Sequence, residues 1–244
     1  ITTENVKHFA DPLNLDKKKS YDWQGLDVSK WKNRTFDGYH RKDGSVGTAN
    51  YWLFIPLVFC ENRNLKVIEE TLKQTLGYKQ PNQYVQYAQD ILNQAVQQEA
   101  PQTAQVFENI DGIKFLYHDG GCGGTREDAE SLLKLLVGYL NHPNVAGATV
   151  LSLGCQHAQI DWFKALNKEL FPQHDKPVVY LEQQKATSED QLIKDAISLT
   201  IAELKKANQV GRKPASLDHL VLGMECGGSD GFSGISANPA VGYV

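Results

Sequence analysis

The feature that most constrains the fold is a repeated order of strand, loop and helix between residues 51 and 222. Short apolar runs typical of buried strands alternate with segments whose apolar residues recur at helical spacing. Such alternation predicts right-handed βαβ crossovers and a parallel sheet covered by helices on both faces. We therefore expect a doubly wound α/β fold with a mostly parallel sheet, either Rossmann-like or flavodoxin-like.

Five apolar runs are predicted as the strands of this sheet. They are residues 51–59, 113–118, 148–153, 177–181 and 217–222. Gly77 is a plausible stop for the first helix, and Thr125 with Asp128 forms a capping-box pattern before a later one. Thr187 is the predicted cap of the last helix before the fifth strand. The Gln-rich stretch 80–105 is predicted to contribute an inserted helix.

The two ends of the chain differ from this regular middle. Residues 1–35 are polar and irregular, and we interpret them as a linker or arm beside an α/β domain over 36–244. The Asp43-Gly44 pair is typical of a hairpin turn and predicts a short β-ribbon leading into the core. Position 1 is not Met, and the chain stops directly after a glycine-rich stretch. We therefore expect a fragment of a longer protein.

Charge and hydropathy narrow the class of partners. The 244 residues carry a formal net charge of -4, whereas nucleic acids and anionic membranes favour clustered basic surfaces. No apolar run reaches the roughly 20 residues that span a bilayer, and the N-terminus lacks a basic and then apolar signal segment. We expect a cytoplasmic protein that binds neither nucleic acid nor membrane.

The four cysteines all follow predicted strands directly. They are Cys60, Cys122, Cys155 and Cys226, and glycine flanks three of them. They form no Cys-x-x-Cys pair, which argues against a small disulfide framework and against a zinc ribbon. Since ligands of doubly wound sheets bind beyond the carboxyl ends of the strands, we expect the functional site there.

The loops that carry these cysteines combine glycines with polar side chains. Glycines beside helix N-termini expose backbone N–H groups that can hold a carboxylate or phosphate. The spacing of 120–124 matches neither a dinucleotide fingerprint nor a phosphate-binding P-loop. Each glycine has an ordinary alternative role in easing a tight turn, and three such loops together favour an anion-binding floor.

The same loops hold candidate metal ligands and bases. Cys122, Cys155 and Cys226, together with His118, His157 or Asp230, have the ligand types for a divalent transition metal. Both histidines are also candidates for a general base near neutral pH. The competing interpretation makes the cysteines small buried apolar side chains and gives the histidines capping hydrogen bonds.

Several motifs together point to a known family. They are 38–41, 44–50, 142–144, 153–155, 183–184 and above all the long run from Cys226 to Ala240. These motifs resemble the altronate dehydratase and galactarate dehydratase family over residues 36–244. The resemblance implies the middle domain of an enzyme that also has a small N-terminal domain and a further C-terminal region.

The activity that the resemblance implies is a hydro-lyase reaction. Such an enzyme removes water from a sugar acid to give a 2-keto-3-deoxy acid and depends on a divalent metal, Fe²⁺ or Mn²⁺. Proton removal next to a carboxylate generates an enediolate, whose charge a cation and backbone donors stabilise. The resemblance implies His118 or His157 as the base and four metal ligands, Cys122, Cys155, Cys226 and Asp230.

The substrate would then be held by glycines, amides and a hydroxyl. The residues implied are Gly121, Gly123, Gln183, Gln184, Gly227, Gly228, Ser229 and Asn238. The Gln183-Gln184 pair favours the altronate branch and leaves galactarate open. The loop 118–122 is richer in glycine than the family pattern, so its detail is expected to differ.

Two rival functions stay open at this point. One is a non-catalytic domain that binds a sugar acid or another anion. The other is a redox or iron–sulfur protein ligated by the cysteines. The sequence leaves the oligomeric state open, a homodimer included.

Overall fold

The computed structural model describes residues 25, 27–79, 82–91, 104–225 and 231–243. The chain divides into two units, Ile1–Arg34 and Thr35–Val244. Within the first unit a 3-10 helix covers Ser29–Trp31, and the guanidinium carbon of Arg34 lies 4.4 Å from the centre of the Trp31 ring. The role of this unit as a linker or arm stays a prediction.

A hairpin opens the second unit. Strands β1 (Thr35–His40) and β2 (Val46–Gly47) pair in antiparallel fashion. The Arg41 N–H donates to the Ser45 carbonyl at 2.9 Å and closes the loop. The hairpin predicted from Asp43-Gly44 is therefore confirmed.

Four parallel strands form the central sheet. They are β3 (Tyr51–Pro56), β4 (Gly112–Phe115), β5 (Val145–Ser152) and β6 (Val178–Glu182), in the spatial order β4-β3-β5-β6. All eight residues of β5 are buried, as expected of a central strand with helices on both faces. The first four predicted strands are thus confirmed, with ends shifted by a few residues.

Six α-helices accompany the strands in the described part of the chain. They are α1 (Asn62–Thr75), α2 (Gln83–Ile91), α3 (Arg126–Asn141), α4 (Ile160–Leu170), α5 (Glu189–Ala207) and α6 (Ala237–Tyr243). Helices α3 and α4 pack on one face of the sheet, and α1 and α5 pack on the other. The predicted doubly wound α/β fold is confirmed. None of these helices is both long and apolar enough to cross a membrane.

Strand β3 shows how the sequence builds two cores from one sheet. Its side chains alternate between the faces, so that Leu53 and Ile55 join the core under α3 and α4. Trp52 and Phe54 join the core under α1 and α5. Full burial of one such side chain contributes about 1.5–3 kcal/mol, so both faces stabilise the sheet.

The predicted fifth parallel strand, 217–222, is wrong. Strand β7 (Lys213–Ser216) instead pairs antiparallel with β1 in a second sheet of order β2-β1-β7. A 3-10 helix over Leu217–His219 follows, because the Ser216 hydroxyl accepts the Asp218 N–H and turns the chain. Val221 is 95% exposed. The apolar run that suggested a buried strand therefore lies on the surface here.

Local signals at the helix ends were mostly read correctly. The capping box of Thr125 and Asp128 is confirmed at the start of α3. The predicted cap Thr187 is wrong by one residue, since the Ser188 hydroxyl accepts the Gln191 N–H at 3.1 Å. Helix α2 lies within the predicted 80–105 helix, and 92–103 lie outside the described residues.

Candidate active site

The order of the strands places the topological switch point of the sheet between β3 and β5. Strand β3 leads into α1 on one face of the sheet, whereas β5 leads into α4 on the opposite face. The two connections diverge where the strands end, and this switch point is where open α/β sheets bind their ligands. The site should therefore be built from the loops that follow β3, β4 and β5.

These three loops are joined through their main chains. The Phe59 N–H, after β3, donates to the Gly120 carbonyl at 3.0 Å. The His157 N–H, after β5, donates to the Gly121 carbonyl at 3.1 Å. The loop after β4, residues 119–124, is called the glycine loop below, and it connects the other two loops. The segments with Cys60, Cys122 and Cys155 therefore meet at one edge of the sheet.

Gly121 is the packing centre of this junction. Its φ is +97°, and a Cβ added there would lie 2.1 Å from the Leu57 carbonyl oxygen. Its own carbonyl accepts N–H groups from His157 and Ala158. The structure therefore gives this predicted substrate-binding residue a structural reason to be glycine, and its contact with substrate stays a prediction.

His118 has both ring nitrogens occupied. Nδ1 accepts the Gly120 N–H at 3.1 Å, which leaves the proton on Nε2, and Nε2 donates to the Pro56 carbonyl at 2.7 Å. The His118 carbonyl also accepts from the Asn62 amide at 2.9 Å. The ring ties β3 to the glycine loop, and its Nδ1 would have to release the Gly120 N–H before it accepted a proton from a substrate.

His157 lies in a different setting, in a cleft of about 310 Å³ beside the glycine loop. Its side chain is exposed, and Cys122 and Gly123 line the same cleft. Asp128 lies at the rim, where its carboxylate accepts the Thr125 N–H at 2.9 Å. The Asp128 carboxylate therefore lies at the N-terminus of α3, which is the positive end of the helix dipole. Its negative charge disfavours the binding of a second anion at the same point.

The loop after β5 is shaped by a buried amide that the sequence did not single out. Gln156 is only 2% exposed. Its Oε1 accepts the Gly154 N–H at 2.7 Å, and its Nε2 donates to the Ala158 carbonyl at 3.1 Å. Gln156 thereby fixes the backbone between the exposed Cys155 and His157.

The two glutamines predicted to bind hydroxyl groups lie beside this loop. A 3-10 helix covers Gln183–Lys185 after β6, and the Gln184 N–H donates to the Leu153 carbonyl at 3.1 Å. The Gln184 side chain packs against Gly154, where an added Cβ would lie 2.6 Å from its Oε1. Gln184 is thus adjacent to Cys155, and Gln183 is half-buried in the same turn.

A second cleft, of about 440 Å³, lies at the edge strand β6. Lys164 and Tyr180 line it, with the Lys164 ammonium 4.5 Å from the centre of the Tyr180 ring. Burial raises the pKa of Tyr180 to about 12, so this phenol stays protonated as a hydrogen-bond donor. Lys185 and Glu182 form an ion pair of 3.0 Å on the same side. These residues are scattered along the sequence and form no motif, so the sequence did not predict this cleft.

The predicted metal site is only partly within the described residues. Cys122 and Cys155 are free and exposed, whereas Cys226 and Asp230 lie outside the described residues, as do Gly227, Gly228 and Ser229. No group of three His, Cys, Asp or Glu side chains able to hold a metal occurs in the part of the chain that the structure describes. These residues alone do not form the site, and the four-ligand set stays a prediction.

Asn238 belongs to the last described segment, 231–243. It lies near the start of α6, and its N–H donates to the Ser233 carbonyl at 2.8 Å. Its side chain is exposed. The predicted contact with substrate stays a prediction.

The sequence did not indicate any role for the polar residues at the start of α1. Glu61 and Asn64 are buried, and Asn62 is bonded to the His118 carbonyl. Polar residues at a helix start usually indicate ordinary capping, which made this signal easy to pass over.

Comparison with models of protein families shows which family this chain belongs to. A family described as "D-galactarate dehydratase/Altronate hydrolase, second domain" matches residues 38–208. This chain belongs to that family. A second model, "D-galactarate/Altronate dehydratase, C-terminal", matches residues 217–244. The predicted resemblance is confirmed, and the boundary between the two models falls beside β7.

Curated relatives show how much of a family member the chain represents. Altronate dehydratase of Bacillus subtilis (strain 168) is 31% identical over 215 residues, which are 86% of this chain and 36% of that protein. Galactarate dehydratase (L-threo-forming) of Escherichia coli is 35% identical over 106 residues, 42% of this chain and 20% of that protein. The (2R)-sulfolactate sulfo-lyase subunit beta of Chromohalobacter salexigens is 24% identical over 86% of this chain and 43% of that protein. This member of the dehydratase family thus spans about a third of the length of the altronate dehydratase.

Proposed function

We propose that this domain supplies the strand-end part of the active site of a sugar-acid hydro-lyase. The observation that carries the proposal is the junction of the loops after β3, β4 and β5, within the residues that match the family's second domain. The preferred substrate is altronate, because the similarity to altronate dehydratase extends over 86% of the chain. Galactarate is the second candidate. We further propose that the enzyme works in the cytoplasm together with the family's other domains.

The reaction is a β-elimination next to a carboxylate. A base takes the proton from the carbon that bears the carboxylate, and the hydroxyl of the neighbouring carbon leaves with a proton as water. The resulting enol becomes a 2-keto-3-deoxy acid. His157 is the better of the two candidate bases, because its ring is exposed in the cleft while His118 is bonded at both nitrogens.

A divalent metal is part of this proposal. Cys122 and Cys155 lie on neighbouring loops and would hold Fe²⁺ or Mn²⁺ together with Cys226 and Asp230. Such an ion supplies positive charge for the enediolate that proton removal creates. In this proposal the glycine loop donates backbone N–H groups to the carboxylate of the substrate. Gln183 and Gln184 contact the hydroxyl groups of the substrate.

The test is a substrate and metal matrix with the complete enzyme under anaerobic conditions. Altronate, galactarate and (2R)-sulfolactate are each incubated with Fe²⁺, with Mn²⁺ or with a chelator, and the 2-keto product is measured. We expect metal-dependent product from altronate. Product from none of the acids would reject the hydro-lyase and favour the anion-binding alternative, and a visible absorption spectrum typical of a cluster would favour the iron–sulfur alternative.

Two pairs of variants assign the residues. His157→Gln should lower kcat by about 100-fold or more, the range of lost general-base catalysis, without loss of stability. His118→Gln should instead lower the free energy of unfolding, because it removes bonds to Pro56 and Gly120. Cys155→Ser should lose metal-dependent activity, with Cys60→Ser as the matched control for an exposed thiol outside the proposed ligand set. Full activity of His157→Gln would remove this residue as the base.

A further inference from the structure

Three buried oxygens at the start of α1 have no hydrogen-bond partner among the described residues. They are Glu61 Oε1, Asn62 Oδ1 and Asn64 Oδ1. Glu61 is 0% exposed and Asn64 is 3% exposed. A buried acceptor without a donor costs about 1–3 kcal/mol, so this concentration within four residues needs a physical explanation.

Two of these oxygens belong to side chains that already touch. Asn64 Nδ2 donates to Glu61 Oε2 at 3.0 Å. In a cyclic pair of a carboxylic acid and an amide, the second oxygen of the acid donates a proton to the oxygen of the amide. That arrangement would satisfy Glu61 Oε1 and Asn64 Oδ1 together, whereas an ionised carboxylate, which only accepts, satisfies neither.

The surroundings of Glu61 also favour the neutral acid. Burial is the largest effect on its pKa and raises it, the Asn64 hydrogen bond lowers it, and the charge of Glu189 at the start of α5 raises it. No Lys, Arg or His side chain is bonded to Glu61 within the described residues. An isolated buried carboxylate would pay a large desolvation cost without compensation.

We infer that Glu61 is held as a neutral carboxylic acid at neutral pH and pairs with Asn64 as a positioning residue at the start of α1. The adjacent Asn62 is bonded to the His118 carbonyl at 2.9 Å. The pair therefore fixes the β3–α1 junction against the glycine loop of the candidate site. The inference does not depend on the proposed function, since its measurements need no substrate.

A divalent cation is the rival explanation for the unpartnered oxygens. Mg²⁺ and Ca²⁺ require about six to eight oxygen ligands. The unpartnered oxygens here number three and are closed off from solvent. A single proton on Glu61 satisfies two of them without further ligands, and it is therefore the occupant that we favour.

Infrared difference spectroscopy of the purified protein tests the protonation state directly. Subtraction of the Glu61→Gln spectrum from that of the parent should show the carbonyl band of one protonated carboxyl group at pH 7. Glu69→Gln, within α1, is the control: burial alone would raise the pKa of Glu69, but the hydrogen bonds from Lys73 and Tyr117 outweigh it and lower that pKa. Its difference spectrum should show an ionised carboxylate. Absence of the protonated band for Glu61 at pH 7 would overturn the inference.

Stability against pH is the second measurement. A folded pKa raised above the ordinary value of 4.5 gives stabilisation that is fully present below that value and is lost as pH rises through the folded pKa. Glu61→Gln keeps both hydrogen bonds to Asn64 at every pH, so it should be about as stable as the parent below pH 4.5, should be more stable than the parent at pH 7, and should lose this part of the pH dependence. Glu61→Ala should be less stable than either. The inference fails if the Gln variant is no more stable than the Ala variant, or if Mn²⁺ raises the melting temperature of the parent but not of Glu61→Gln.

Discussion

At the scale of single residues, the candidate site depends on a position that has no room for a side chain. Gly121 lies at the point where three loops exchange main-chain hydrogen bonds, and the Leu57 carbonyl occupies the space of its missing Cβ. Gly123, two residues later, also has a positive φ, of +80°, but has no atom within 4 Å of an added Cβ. The two glycines therefore separate the effect of crowding from the effect of backbone conformation.

Gly121→Ala should lower the free energy of unfolding by about 3 kcal/mol or more, because strain in the left-handed region adds to a steric overlap. Gly123→Ala should cost only about 1–2 kcal/mol, the conformational part alone. Urea unfolding followed by far-UV circular dichroism measures both. Equal losses in the two variants would contradict a packing role for Gly121.

The sequence predicted where the site residues lie, but not the contacts between loops that hold them there. The order of strand and glycine loop predicted that Cys122, Cys155 and His157 would lie at one edge of the sheet, because parallel strands end on the same side. It did not predict that Gln156 holds the loop after β5 or that both nitrogens of His118 are occupied. Those facts depend on contacts between loops far apart in the chain, which local patterns do not encode.

At the scale of elements, the two helix starts for which the sequence predicted a cap were located to within one residue. The chain offers two adjacent hydroxyls before α5, Thr187 and Ser188, and both fit the capping pattern. The structure selects Ser188, whose extended backbone lets its hydroxyl reach the Gln191 N–H. An apolar run was a weaker guide, since 217–222 has strand-like composition but follows a turn set by Ser216.

Ser188→Ala should lower the free energy of unfolding by about 1 kcal/mol, the usual loss for a removed N-cap. Thr187→Ala is the matched control and should change it by less than about 0.5 kcal/mol, as is typical of surface positions. Thermal and urea denaturation of the two variants give the comparison. A larger effect at Thr187 would restore the cap expected from the sequence.

At the scale of the whole molecule, one half-buried lysine should make stability depend on pH. Lys176 donates to the carbonyls of Leu140 at 3.1 Å and His142 at 2.6 Å, just after the end of α3. Burial and the charge of Arg41 lower its pKa to about 7, against the opposing effect of Asp43 and Asp175. The unfolded chain, in which this amine has an ordinary pKa near 10.5, thus binds more protons between these two values.

The free energy of unfolding should therefore rise between pH 7 and pH 9, since the folded state loses its proton before the unfolded state does. Lys176→Met should flatten this rise, and Lys134→Met, on the exposed face of α3, should keep it. Urea unfolding at several pH values within this range measures the slope. A slope unchanged in Lys176→Met would show that the amine is already in its ordinary state when folded.

The main-chain bonds that join the loops have one more consequence. Phe59, Gly120, Gly121 and His157 meet through backbone amides and carbonyls, so these bonds do not depend on which side chains stand at positions 59 and 157. The side chains at these two positions can therefore change while the main-chain bonds between the loops are kept. A family built on such a junction can keep these bonds while exposed side chains of the loops change, and its relatives carry the names of altronate, galactarate and sulfolactate enzymes.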